Sequence, residues 1–277
     1  MTKKAINNIT DHSEDNFKKL SIQVGLNGLS FCAFDSESNS VLKSERLSFE
    51  KTLTPYEVLK HLKQLFQKND LADERFAEVV VVHRNALFGL VPKSLFSTEE
   101  LANYLKFNAK ILANDHLAYD EFESHDIVNV YVPFVNINNY IYELFGEFTF
   151  KHNGTVMVES LLNGYTQAKQ AVCFVYVQER QMDLTIIDQK KLLLFNSYLY
   201  NTKEDFLYYL LFALEQLKLD SETVPLKLFG AVDEGDEIYD ICYRYIKNVS
   251  IFVPDFGPHA YYGSSRDAID FTVINAL

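Results

Sequence analysis

The stretch LSIQVGLNGLSFCAFD, Leu20 to Asp35, has a counterpart about 150 residues downstream, VCFVYVQERQMDLTIID, Val172 to Asp188. Each is two apolar runs around a short polar turn, the pattern of a β-hairpin. In the first, Leu20–Val24 and Leu29–Phe34 flank Asn27-Gly28, a dipeptide that accepts positive φ at both central positions of a tight turn. Ser36–Ser40 reads as a polar turn and Val41–Phe49 as a third strand. Thr54-Pro55 opens a helix with proline at its first position. Tyr56, Leu59, Leu62, Leu65 and Phe66 recur there at helical spacing. Glu78–Val82, rich in valine, reads as a strand buried on both faces.

The second stretch continues in the same order. Val172–Val177, Met182–Ile187 and Leu192–Tyr200 read as strands, joined by turns at Gln178–Gln181 and Asp188–Lys191. Asn201 or Thr202 caps a helix carrying Phe206, Leu207, Leu210, Leu211, Leu214 and Leu217. Leu226–Gly230 reads as the closing strand. Both halves therefore spell strand, strand, strand, helix, strand. Gly28 to Asp35 and Gln181 to Asp188 are the same seven-residue offset. The prediction is an α/β chain of duplicated βββαβ lobes, with mixed sheets flanked by helices.

The remaining segments read as strands at Ala86–Pro92, Ile127–Val132, Phe148–Phe150 and Ser250–Val253. Helices are predicted at Glu99–Lys106, Ile137–Phe145, Val156–Leu162, Asp236–Ile246 and Arg266–Leu277. Ser97-Thr98-Glu99-Glu100 has the form of a capping box, and Gly146 and Gly164 suit helix ends. Residues 1–17 are polar. With no Pro/Gly/Ser-rich linker, the expected division is a first lobe over 18–155 and a second over 156–277, hinged near 151–170.

A duplicated three-stranded meander followed by helix and strand resembles the actin-like ATPase (ribonuclease H-like) fold, the group that holds actin and hexokinase. It is most similar to the pilus-assembly and cell-division branch, and to an uncharacterised bacterial family sharing that fold. The resemblance covers roughly residues 18–277 and rests on element order and short stretches. It implies an Asp-x-Gly at the first hairpin, the Asp serving a metal and the Gly admitting phosphate. Here Gln23 falls at the Asp position and Gly25 at the Gly position, with Asn27 and Gly28 at the turn. At the second hairpin Tyr176 and Gln178 fall at those positions. The nucleoside-binding Gly-Gly of the family is reduced to Gly230, followed by Ala231, Val232 and Asp233. Glutamine is a poor Mg²⁺ ligand beside a carboxylate. The resemblance thus implies a degenerate, non-hydrolysing member with no cofactor; the alternative is an ATP/Mg binder with an altered site. Gln23, Gly25, Asn27, Gly28, Tyr176, Gln178, Gly230 and Asp233 are the candidate cleft residues.

Other chemistry has little support. A net charge of −12 with no long basic run disfavours a phosphate-backbone partner. The seven His form no HxxxH, HExxH or Cys/His cluster, so no metal site and no catalytic residue is assigned. His83-Arg84-Asn85 reads as a polar loop after the valine-rich strand, with His83 satisfied locally; the functional alternative makes these groups anion contacts in the cleft. Asp115, Asp120, Glu121, Glu123 and Asp126 read as an exposed strand-and-turn segment, and Asp233–Glu237 as a solvated turn. A D-x-G, Asp255-Phe256-Gly257, falls late, and Ser264 or Ser265 suits a helix cap. Cys32, Cys173 and Cys242 read as small buried hydrophobes. No apolar run approaches the ~20 residues of a membrane helix, and the N-terminus lacks an apolar signal core. A cytoplasmic protein is expected. Its partner is expected to be a protein or a second copy of itself. Tyr208 and Tyr209 cannot both face the core, so one is a candidate interface residue.

Overall fold

A computed structural model describes residues 17–107, 110–112, 114–122, 125–164, 170–254 and 270–277. β1 (Lys18–Gly25), β2 (Gly28–Asp35) and β3 (Ser40–Ser48) form a meander. α1 (Pro55–Lys68) crosses over, and β4 (Glu78–Arg84) enters parallel to β1. An insertion follows: β5 (Phe88–Pro92), α2 (Leu101–Leu105), β6 (Ala118–Glu121) and β7 (Ile127–Tyr131), with a small antiparallel sheet in the order β5-β7-β6. α3 (Val135–Phe145) and β8 (Thr149–His152) complete the first lobe, and α4 (Asn153–Gly164) leads out of it. The second lobe is β9 (Val172–Val177), β10 (Gln181–Asp188), β11 (Lys191–Leu199), α5 (Lys203–Gln216), β12 (Pro225–Gly230), α6 (Glu237–Tyr245) and β13 (Asn248–Ile251). A short α7 (Phe271–Ile274) ends the chain.

The duplication extends further than the sequence pattern indicates. The two large sheets have the same order, β3-β2-β1-β4-β8 and β11-β10-β9-β12-β13. Their outer hairpins break register at matching places, Ala33/Phe34 and Ile186/Ile187. Both crossing helices open on a threonine capping box, Thr54 with Glu57 and Thr202 with Asp205.

Strand alternation assigns each face. Leu20, Ile22 and Val24 of β1 join the core beneath α1 and α3, so Ser21, Gln23 and Gly25 turn the other way. On β9, Cys173, Val175 and Val177 join the core of α5 and α6, while Val172, Phe174 and Tyr176 pack with Met157, Val158, Leu161 and Leu162 of α4. Two-sided burial explains why β9 reads as one apolar run. α4 is buried along most of its length between the lobes. Val273 and Ile274 of α7 pack on Cys32, Phe34 and Val41, closing the chain over the inner face of the first sheet. Each such buried aliphatic side chain contributes about 1.5–3 kcal/mol.

Some expectations need correction. The β1–β2 turn is Leu26-Asn27, one residue earlier than the Asn-Gly signal, because Gly25 pairs with Gly28. Neither turn residue, nor Gly28, has positive φ. Gly28 is needed for close approach: a Cβ there would lie 2.7 Å from the Leu47 carbonyl oxygen. The Ser97 hydroxyl accepts from the Glu99 N–H, but it opens a 3₁₀ turn over Thr98–Glu100, and α2 starts only at Leu101. The helix read from Val156 begins at Asn153. Of the predicted Arg266–Leu277 helix, the described part is helical only at Phe271–Ile274, capped by the Asp270 side chain. Asp255-Phe256-Gly257 and Ser264-Ser265 lie outside the described residues. All three cysteines are buried and free, as expected. Among the described residues no helix is long and apolar enough to cross a membrane.

Candidate functional site

The two hairpin turns meet. Gly25 pairs with Gly28 around Leu26-Asn27. The Gln178 N–H donates to the Gln181 carbonyl around Glu179-Arg180. Gln23 therefore corresponds to Tyr176 and Gly25 to Gln178, the correspondence read from the sequence. The Asn27 side-chain amide donates to Gln181 Oε1 at 3.4 Å, so the turns touch across the lobes.

Behind the turns the cleft holds a carboxylate from the chain's own end. Gln23 Nε2 donates to Asp270 Oδ2 at 2.9 Å, and Gln178 Nε2 to the same oxygen at 3.1 Å. The Thr272 N–H donates to Asp270 Oδ1 at 3.1 Å, and the Thr272 hydroxyl lies 2.8 Å from that oxygen and beside Gln23 Oε1. Both candidate glutamines thus hold Asp270, one from each lobe. Deeper in, Arg84 Nη2 and Asp183 Oδ2 form a buried ion pair at 2.7 Å. Ser197 Oγ donates to Asp183 Oδ1 at 2.6 Å, and Asn153 Nδ2 to Oδ2 at 3.3 Å. Burial pushes the Asp183 carboxyl up, and the Arg84 guanidinium and Ser197 hydroxyl oppose that rise. Arg84 also lies 5.4 Å from the centre of the Tyr176 ring, and burial raises the Tyr176 phenol above its usual range.

The candidate residues divide between two adjoining spaces. Gln23, Gly25, Asn27, Gly28 and Gln178 line a cavity of about 30 Å³, where about 10–15 Å³ holds one water. Tyr176, Gly230 and Asp233 line a hollow of about 340 Å³ walled by Phe229, Phe252 and Phe271. Asp233 is exposed and its N–H donates to Asp236 Oδ2 at 2.8 Å, so the acidic run forms the turn into α6. Gly230 has φ +95°, and a Cβ there would lie 2.4 Å from the Val177 carbonyl oxygen and 2.7 Å from the Tyr176 ring. Gly230→Ala should therefore cost about 1–3 kcal/mol in backbone strain alone, read as a lower urea midpoint. An unchanged midpoint would show that the loop relaxes freely.

His83-Arg84-Asn85 is a correction. β4 runs on through Arg84, so His83 and Arg84 belong to the strand. His83 is fully buried: its Nδ1 accepts from the Phe134 N–H at 3.2 Å, which leaves Nε2 to donate to Asn138 Oδ1 at 2.9 Å. Burial lowers its pKa to about 4. The acidic segment also departs from its exposed reading at Asp120. Its oxygens accept from Thr155 Oγ1 at 2.6 Å, the His152 N–H at 2.8 Å and the Tyr131 hydroxyl at 2.9 Å. Burial raises it to about 6, against those bonds. Tyr208 is 62% exposed, while Tyr209 stacks on Tyr198 at 4.7 Å, dividing the pair as expected.

Asp183, Asp270 and Thr272 are absent from the sequence reading, and Arg84 enters it only as a loop residue or an anion contact. One signal existed: Asp183 is the only charge in the apolar run Met182–Ile187, and a buried carboxylate needs a cation or several donors. Among the described residues no group of three or more His, Cys, Asp or Glu is placed to hold a metal.

Two lobes of identical strand order, joined through α4 and meeting at paired hairpins, define the actin-like fold. The solved structures agree. A Bacteroides thetaiotaomicron protein with an actin-like ATPase fold and unknown function is 19% identical, with a TM-score of 0.79, covering 96% of this chain and 97% of that one. The PilM–PilN type IV pilus biogenesis complex matches at 11% identity and TM-score 0.63, covering 92% and 96%. The ethanolamine utilization protein EutJ from Carboxydothermus hydrogenoformans matches at 8% and 0.50, covering 93% and 88%. No curated protein matches the chain. The chain belongs to DUF3822, a family of proteins of unknown function, whose model matches residues 7–249.

Proposed function

We propose that this chain is a non-catalytic actin-like protein that works as a binding or scaffolding module with a degenerate nucleotide cleft. One observation carries the reading: Gln23 and Gln178, at the two phosphate-hairpin positions, both hold Asp270, a carboxylate of the same chain. A phosphate placed there would meet that negative charge in a cavity of about 30 Å³. Clefts that hold small ligands run to roughly 300–1,000 Å³. Gln23 offers no carboxylate for Mg²⁺, so the residues at the turns do not suit MgATP. The lobes divide at residue 155 on this reading, with α4 as the joint between them.

The partner is a protein or a second copy of the chain. The PilM–PilN complex is a neighbour in fold that assembles with a protein. On this chain Leu207, Tyr208, Leu211, Ile241 and Tyr245 line an open groove of about 520 Å³ between α5 and α6, and exposed aromatics are enriched at interfaces. The test is a phosphate-release assay with a melting curve in MgATP. No release and no shift are expected, and turnover above background would refute the reading.

The second reading is an ATP/Mg binder with an altered site, favoured by the aromatic-walled hollow at Gly230. It requires Gly25 to admit phosphate. A Cβ at Gly25 would meet Arg84 and Gly28 at 3.4–3.5 Å, ordinary contact distances. Gly25→Val should then abolish a nucleotide-induced rise in melting temperature.

A further inference from the structure

Two strand edges face one groove of about 630 Å³. β5 ends the small sheet and β11 ends the second-lobe sheet, and among the described residues neither has a strand on its outer side. Every residue of β5 and residues 192–196 of β11 line the groove in unbroken succession. A sheet face would contribute alternate residues only. Consecutive ones mean that the strand edges themselves, backbone included, wall the groove.

The register shows which backbone groups are open. The Val132 N–H donates to the Leu87 carbonyl at 3.0 Å, and the Lys93 N–H to the Asp126 carbonyl at 2.9 Å. Gly89 and Val91 share that phase and bond inward to β7, so Phe88, Leu90 and Pro92 turn their groups outward. Pro92 lacks an N–H, which costs no ladder bond on the outer side. On β11 the Tyr200 N–H donates to the Arg180 carbonyl at 3.1 Å, the phase that turns Phe195 outward. Among the described residues no backbone bond outside the ladders reaches Phe88, Leu90 or Phe195.

An open edge is a template for another strand, and proteins blunt such edges with charges. The corresponding edge of the first lobe, β3, is blunted: its Lys43 and Glu45 pair with Glu74 and Lys68. β11, at the same place in the second sheet, carries Leu192, Leu193, Leu194 and Phe195 instead, with Leu193 40% exposed. Gly89 sits within β5 in unbroken register, where a second backbone can come close.

We propose that this groove takes an extended peptide segment of a partner protein, which adds a strand to β5 and lays its apolar side chains against β11. The open N–H and C=O groups of Phe88 and Leu90 call for a backbone. The leucines and Phe195 call for alternating apolar side chains. Asp126, the only charge on the lining, and a net charge of −12 favour a neutral or basic segment. A recess between two edges admits a single strand and not the edge of a second folded sheet, so the occupant is not another copy of this chain. The surface has no lining residue in common with the cleft or with the α5–α6 groove. It goes beyond the reading above, and MgATP turnover would leave it standing.

The test titrates the full chain with a synthetic acetylated peptide of alternating valine and threonine that ends in lysine, read by backbone amide NMR. The Phe88 and Leu90 amides should shift and slow in hydrogen exchange, and N-methylation of the peptide's alternate amides should abolish both effects. Leu90→Pro removes an outward N–H and spares the β5–β7 ladder, so it should fold and bind about tenfold more weakly. Leu193→Lys, on the opposite wall, should weaken binding without touching β5, and it decides the matter if Leu90→Pro does not fold. No change at Phe88 or Leu90, equal binding of the N-methylated peptide, or wild-type affinity in Leu193→Lys overturns the proposal. So does concentration-dependent dimerisation that protects the same amides, which would assign the edge to a second copy.

Discussion

Arg84→Met should lower stability by about 3–5 kcal/mol, the cost of leaving one partner of a buried ion pair without the other. Asp183 is 1% exposed. Without the guanidinium it keeps Ser197, Gln181 and Asn153 as donors but loses the one cation that pairs with it among the described residues. The same pair joins β4 of the first lobe to β10 of the second, so the loss should also loosen the lobes. Adding Asp183→Asn should recover a large part of it, because a neutral amide needs no cation. Urea midpoints for the wild type, both single variants and the double variant give the coupling. A cost below about 1 kcal/mol for Arg84→Met would mean that the carboxyl is not held as an anion.

Acid should unfold the protein through two histidines. Burial holds His83 at about 4 and His152 at about 3, with His83 and Arg84 adding to the effect on His152. Both lie below the ordinary value of 6.5, so the folded state keeps them neutral where the unfolded chain takes up protons. Stability is then full above pH 6.5 and falls as pH drops toward 4. Two such sites give a slope of about 2.7 kcal/mol per pH unit. Asp120, raised to about 6, acts with the opposite sign. It binds its proton in the folded state first, as the raised Asp183 also does, and takes back about 1.4 kcal/mol per pH unit below pH 6, so the net slope there is at most about half the histidine value. Urea unfolding at several pH values should show the slope, and His83→Gln should roughly halve the histidine contribution. Histidine ring protons titrating near 6.5 in the folded protein would contradict this account.

Much of the architecture was legible because it is written in period-two patterns and turn chemistry. The doubled hairpin, the third strands and both threonine-capped helices are local features, and each half carries them. The correspondence of Gln23 with Tyr176 and of Gly25 with Gln178 followed from that repeat. The Asn27-Gly28 signal points one residue past the real turn because Gly28 answers the approach of Leu47, a contact set by the neighbouring strand. The Arg84–Asp183 pair and the grip of both glutamines on Asp270 join residues about 100 to 250 positions apart. No periodicity carries that information. A histidine and an arginine after four valines look like a strand end, so the sequence alone points to a loop at His83. In the fold both are buried and paired.

The central claim is that a cleft of actin-like geometry is closed to its usual ligand by the chain's own Asp270. Calorimetric titration of the wild-type protein with MgATP tests it most directly. The account predicts no saturable heat. Saturable micromolar binding, at a stoichiometry of about one, would contradict it.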